Sequence, residues 1–137
     1  MRTRFLFCLW LGGAAFAQKP LPDPESVLLI ESIQGPALYR EYCAVCHGLD
    51  GKGDGPMAAS LKTRPADLTR IAGPGRSDFP LDRVEKVISG AEAVRKGHGT
   101  KEMPVWGPVF SQIAWDQDLG RVRIHNLALY LKAMQRK

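Results

Sequence analysis

A helix that spans a bilayer needs about 20 apolar residues in a row, and this 137-residue chain has no such run. Its apolar stretch Phe5-Leu6-Phe7-Cys8-Leu9-Trp10-Leu11 is too short, and no later segment comes closer. Cysteine is scarce, at three residues. Alternating apolar and polar runs long enough for a sheet are missing, and so is any internal repeat, which excludes a sheet-built or repetitive fold. A strong excess of basic charge is missing too, which argues against nucleic-acid binding. Instead 19 lysines and arginines are interspersed with 14 acids, for a formal charge of +5. No catalytic acid–base set stands out.

What is present begins with an export signal. Arg2 and Arg4 precede the apolar run, and small residues lead to Ala15-Phe16-Ala17, a cleavage-site pattern ahead of Gln18. Residues 1–17 are read as a secretory signal peptide, which sends the protein out of the cytoplasm to a bacterial periplasm. A lipid on Cys8 is the alternative, and bulky Phe7 with so few residues upstream argues against it. Cys8 leaves with the signal, and the formal charge falls to +3 as Arg2 and Arg4 go. Residues 18–137 then suffice for one domain. The cluster Lys132, Gln135, Arg136, Lys137 suits an acidic partner or a solvated helix end.

Cys43-Ala44-Val45-Cys46-His47 carries specific chemistry. Cys-x-x-Cys-His is the attachment site of a c-type haem: each thiol adds to a vinyl group of one porphyrin, and the adjoining histidine is held under the iron as an axial ligand. A thioredoxin-like redox pair would want a βαβ context, and half of a zinc site would want a second Cys/His pair. Neither context surrounds these residues. The expected cofactor is one haem c, attached through Cys43 and Cys46, with His47 on the metal.

Lys19-Pro20-Leu21-Pro22-Asp23-Pro24 reads as extended, and residues 18–34 as a proline-rich leader. Pro36 behind Gly35 suits a first helical turn, and Ala37 to Cys43 carries helix into the haem motif. Val27 to Ile33 either extends that helix backward or packs beside it. Glycines between 48 and 55 turn the chain out of the helix after His47. A short helix is expected over Met57 to Leu61, ending before Arg64-Pro65, and a loop at 73–77. Asp82 to Ser89 forms a helix that stops at Gly90. A second glycine-rich, cationic loop, 95–101, leads into Met103-Pro104-Val105-Trp106-Gly107. The longest helix covers about 116–134, with Ile124, Leu127, Leu131 and Met134 on one stripe.

In this order the residues from 35 to 135 resemble the class I c-type cytochromes. Gly35 and Tyr39 stand where that family has a glycine and an aromatic ahead of the haem cysteines. Gly55-Pro56 matches its loop, Met103-Pro104 its methionine-proline pair, and Tyr130-Leu131 the aromatic-aliphatic pair of its last helix. The resemblance implies an all-α, cytochrome c-like fold of three to five helices around one haem, with 35–137 as the cytochrome domain. It also implies that a proline carbonyl holds the second ring nitrogen of His47. Pro56 is the better match for this role and Pro65 the alternative.

Met103 is the expected sixth ligand, because its Pro- and Gly-bounded segment can pass across the open haem face. Thioether ligation favours ferrous iron. Met57 is the rival thioether and is expected to pack locally, while Met134 belongs to the core. His98 is the rival imidazole, read as an exposed loop residue, and His125 is read as a helix-surface residue. Trp106 either covers a haem edge, donates its N–H to a propionate, or serves as plain hydrophobic cover. Arg64 and Lys101 are further propionate candidates.

The expectation is a monomeric one-electron carrier, without substrate chemistry, passing electrons between a redox protein donor and an acceptor. It binds no nucleic acid and has no transmembrane span after export, although it can associate with a membrane redox complex. One alternative is a haem subunit of a periplasmic dehydrogenase or oxidase, marked by an exposed apolar patch built from Val27 to Ile30. Another is a sensor or peroxidase-like protein whose sixth ligand detaches. If the thiols hold haem, denaturing electrophoresis keeps haem colour on the polypeptide, and intact mass equals residues 18–137 plus one haem. A bare-polypeptide mass from pigmented protein contradicts the attachment.

Overall fold

The computed structural model describes residues 23–73, 78–92, 103–112 and 117–136. Among these the regular structure is helical, with no strand. Helix α1 (Pro24–Ile33) begins inside the segment read as an extended leader. Asp23 Oδ2 accepts from the Ser26 amide at 3.3 Å, and the Ser26 hydroxyl donates to the Asp23 carbonyl at 2.6 Å. An aspartate cap followed by proline in the first turn is a helix start. Gln34 then breaks the helix with an extended backbone, φ −78° and ψ 127°. The apolar segment up to Ile33 therefore packs beside the next helix and does not prolong it.

That next rod is three segments in one. α2 (Gly35–Leu38) passes through a π-helical turn, Tyr39–Cys43, into α3 (Ala44–His47). α4 (Leu81–Ser89) buries Val84 and Ile88 and ends at Gly90 with φ +83°. α5 (Trp106–Gln112) lies where the sequence reading assigns no element. Pro108 is tolerated in its first turn, where the missing N–H has no partner to lose. α6 (Gln117–Ala133) is the longest helix, as expected.

The core forms where α2 and α6 cross. Gly35 faces the backbone of α6: a Cβ there would stand 2.8 Å from Tyr130 Cβ and would run into the Asn126 carbonyl. With only hydrogen at that position the helices close up. Tyr39 then meets Tyr130 with ring centroids 5.4 Å apart, and Asn126 donates to the Ile33 carbonyl at 2.8 Å. Around the crossing Leu38, Tyr39, Phe110, Leu127, Ala128 and Leu131 are buried.

Arg123 of α6 is also fully buried. Its guanidinium donates to the Ser32 carbonyl (3.0 Å), the Ser32 hydroxyl (3.1 Å) and the Phe110 carbonyl (2.9 Å). A buried cation is tolerable only when its donors are satisfied, and here they join the ends of α1 and α5 to α6.

The crossing makes Gly35→Ala an overpacking change in a closed contact, with an expected cost of about 1–3 kcal/mol. Thermal and denaturant unfolding of the holoprotein measure it. A variant as stable as wild type would mean that the α2–α6 crossing is not tight.

Candidate functional site

The last four carbonyls of a helix have no partner within it. In α3, which ends in the sequence Cys46-His47, the following loop supplies all four donors. Gly48 N–H reaches the Ala44 carbonyl (2.9 Å), Met57 that of Val45 (2.9 Å), Gly55 that of Cys46 (3.1 Å) and Gly53 that of His47 (2.8 Å). The buried Tyr39 hydroxyl donates to the Gly48 carbonyl at 2.6 Å. Residues 48–57 are thereby wrapped back onto the helix that bears the motif.

This wrapping sets the place of the next segment. Gly53 has φ +77°, and a Cβ on it would run into the Pro65 carbonyl. Leu68 N–H donates to the Gly51 carbonyl at 2.7 Å. Held against the loop at these two points, the segment brings the Ala66 carbonyl to 3.0 Å from His47 Nδ1. A carbonyl only accepts, so the ring proton sits on Nδ1 and the lone pair that could ligate a metal belongs to Nε2.

The acceptor is therefore neither Pro56 nor Pro65. Gly55 and Met57 bind Cys46 and Val45 on either side of Pro56, which holds that proline against α3 and leaves it exposed. The Pro65 carbonyl is taken up against Gly53, and the next carbonyl along the chain faces the imidazole.

A cavity of about 610 Å³ opens beside the motif, within the usual range for ligand pockets. Cys43, Cys46 and His47 line it, with Val84, Val87 and Ile88 of α4, Leu127 and Leu131 of α6, and Met103, Pro104 and Trp106. Both thiols are free. Burial, and then the neighbouring Cys46, push the Cys43 thiol up to about 12, so it is protonated at neutral pH. Burial lowers the His47 pKa, and the Ala66 carbonyl partly opposes that shift. A neutral imidazole is the metal-binding form. An apolar chamber with two thiols and an oriented, neutral imidazole on its wall fits a covalently attached haem.

Two thioethers line the same chamber. Met57 is 46% exposed and its backbone is tied to Val45. Met103 is half-buried, in a segment seated on the end of α4, where Val105 packs against Gly90 and Gly107 against Ser89. Met134 packs on the core and His125 is exposed, its Nδ1 2.7 Å from Glu85 Oε1. Trp106 lines the cavity and stacks on Phe110 at 5.8 Å, with Tyr42 edge-on at 5.4 Å. Arg64 lines the cavity as well, its Nε donating to the Gly53 carbonyl at 3.4 Å. His98 and Lys101 lie outside the described residues.

Sequence reasoning missed Ala66, Arg70 and Arg83. The two arginines line the cavity while pairing with Asp67 (3.7 Å) and Glu92 (3.2 Å), and no local pattern distinguishes them from other surface cations. Among the described residues no group of three or more His, Cys, Asp or Glu could hold a metal ion, and no helix is long and apolar enough to cross a membrane.

A family model described as cytochrome c oxidase, cbb3-type, subunit III matches residues 33–131. The chain belongs to this family of c-type cytochrome domains, and its all-α fold is that of a class I c-type cytochrome. Family membership implies haem c and haem-based electron transfer with redox partners. Neither the curated proteins nor the solved structures contain a match to it.

Asp67, next to Ala66, accepts from the Thr69 hydroxyl (2.5 Å) and amide (2.9 Å), and the hydroxyl bond is the main cause that lowers its pKa from 3.8. A carboxyl with a depressed folded pKa adds stability above its unfolded value and loses it as pH falls through the folded one. Thr69→Val removes the hydroxyl donor, so wild type should be the more stable at pH 7, with the gap closing below about pH 4. Denaturant unfolding at a series of pH values measures this. A gap independent of pH would assign the loss to packing.

Proposed function

We propose that this chain is an exported, periplasmic monomer that carries single electrons on one haem c. Cys43 and Cys46 hold the haem covalently, and His47 and Met103 ligate its iron. The observation that carries this reading is the common cavity: residues far apart in sequence, two thiols, one imidazole and two thioethers, of which Met103 is the less exposed, line one apolar chamber. When bound, the haem supplies a metal that alternates between ferrous and ferric states.

The chain's own groups support that use. His47 is neutral through burial and its orientation is set by the Ala66 carbonyl. Met103 brings a thioether, which favours the ferrous state and raises the potential. The apolar side chains of α4 and α6 keep water from the ligands, so the metal's surroundings need not reorganise between oxidation states. Val45, which lines the cavity and is 43% exposed, leaves one edge of the chamber within reach of a donor or acceptor protein.

A second reading, a haem subunit of a larger oxidase or dehydrogenase, is favoured by α1. Leu28 is 68% exposed and Ile30 51%, apolar surface that a free shuttle would avoid. The family's description as an oxidase subunit agrees with it.

Replacement of each candidate ligand tests the assignment. Met103→Ala opens a coordination position, so the ferrous variant binds carbon monoxide and its reduction potential falls. Met57→Ala and His98→Ala keep the low-spin spectrum. The unmutated protein is expected to resist carbon monoxide at neutral pH. Loss of the low-spin spectrum in either of the other two variants, with Met103→Ala unchanged, would reassign the ligand. Carbon monoxide binding by wild type would favour an open-site sensor or peroxidase-like function.

A further inference from the structure

Residues 65–72 form a strap across the end of α3, and the Ala66 carbonyl on it is the acceptor for His47 Nδ1. The strap has a single 3-10 turn of its own, Leu68–Arg70, so its position is set by what binds it from outside. The Gly51 carbonyl accepts from Leu68 on one side. The other side is held by a side chain remote in sequence, Gln135, which is half-buried just past the end of α6.

Both ends of the Gln135 amide are engaged. Its Nε2 donates to the Leu68 carbonyl and to the Leu131 carbonyl of α6, each at 2.7 Å. Its Oε1 accepts from the Ala72 amide at 3.0 Å. The adjoining Arg136 amide donates to the Thr69 carbonyl at 2.9 Å. The strap is thus pinned at Leu68, Thr69 and Ala72 to the last turn of α6. Only Asp67 separates Leu68 from Ala66, so any shift at the pin passes directly to the carbonyl that faces His47.

We propose that Gln135 is a positioning residue for the axial histidine: through the strap it sets where the Ala66 carbonyl stands, and hence the strength of that carbonyl's bond to His47 Nδ1. This rests on the reading of His47 as an iron ligand. A bond from the ring N–H to a carbonyl makes the opposite nitrogen a more basic ligand, and a more basic ligand stabilises the ferric state. Loosening the strap therefore raises the reduction potential, although Gln135 touches neither the histidine nor the cofactor.

The test uses the holoprotein. Gln135→Met keeps the length of the side chain and removes all three hydrogen bonds. Gln135→Lys keeps a donor for the Leu68 carbonyl and loses the acceptor for Ala72. The potential is expected to rise in Gln135→Met and by less in Gln135→Lys, with a matching shift of the His47 ring protons in the paramagnetic NMR spectrum. Asn126→Ala, which cuts a bond at the distant α2–α6 crossing, serves as the control and is expected to leave the potential unchanged.

An unchanged potential in Gln135→Met, or an equal rise in Asn126→Ala, overturns the proposal. Should Gln135→Met not fold, hydrogen exchange in wild type decides: the Leu68, Ala72 and Arg136 amides should exchange together as one protected unit, and fast exchange at Ala72 alone overturns it. Absence of iron-shifted His47 resonances in wild type overturns the ligand reading itself. Their presence with no response to Gln135→Met overturns only the role of Gln135.

Discussion

Four carbonyls at the end of α3 have no partner inside their helix, and here the chain satisfies them by folding back on itself. Because residues 48–57 do so, Gly51 and Gly53 stand where the segment around Pro65 can lie against them. Because that segment lies there, a backbone oxygen meets the imidazole. The chemistry of the site follows from a backbone accounting problem. The loop that returns four N–H groups to this helix end also presents a shelf for a second segment, and so orients the histidine.

The α2–α6 crossing does the complementary task. It closes the chamber from behind with Leu127 and Leu131, while the aromatic group of Tyr42, Trp106 and Phe110 packs at its flank. α4 supplies a further apolar wall, and the same helix end seats the segment bearing Met103. One apolar stripe on each of two helices therefore serves both as core and as cofactor surface, so apolar burial in this domain and cofactor binding are aspects of one packing arrangement.

Much of this was legible in the residues. The motif 43–47 is legible because its side chains are the chemistry. The crossing of Gly35, Tyr39 and Tyr130 was legible through the resemblance to the class I c-type cytochromes, whose first and last helices carry a glycine and aromatics at these places. One start is misread and one goes unassigned: Asp23-Pro24 falls into an extended leader when its cap is overlooked, and no element is assigned over Trp106-Gly107-Pro108. Ala66 was not legible at all. Its contribution is a carbonyl, which every residue possesses, and only the register fixed by Gly51 and Gly53 selects it. Arg123 was missed because a charge in a helical stripe reads as solvent-facing until the two elements that bring carbonyls to it are placed.

Arg123 also bears on where the folding unit begins. The family match starts at residue 33, and a domain trimmed to that limit would look complete by its motifs. It would lose Ser32, however, and with it two of the three bonds that hold the guanidinium. A fully buried cation would then keep a single acceptor, the Phe110 carbonyl. The cut would fall in the short stretch before Gly35 but act at the junction of α5 and α6. For this chain the cooperative unit extends past the matched residues to include α1, and a minimal fragment has to be drawn around the arginine's acceptors.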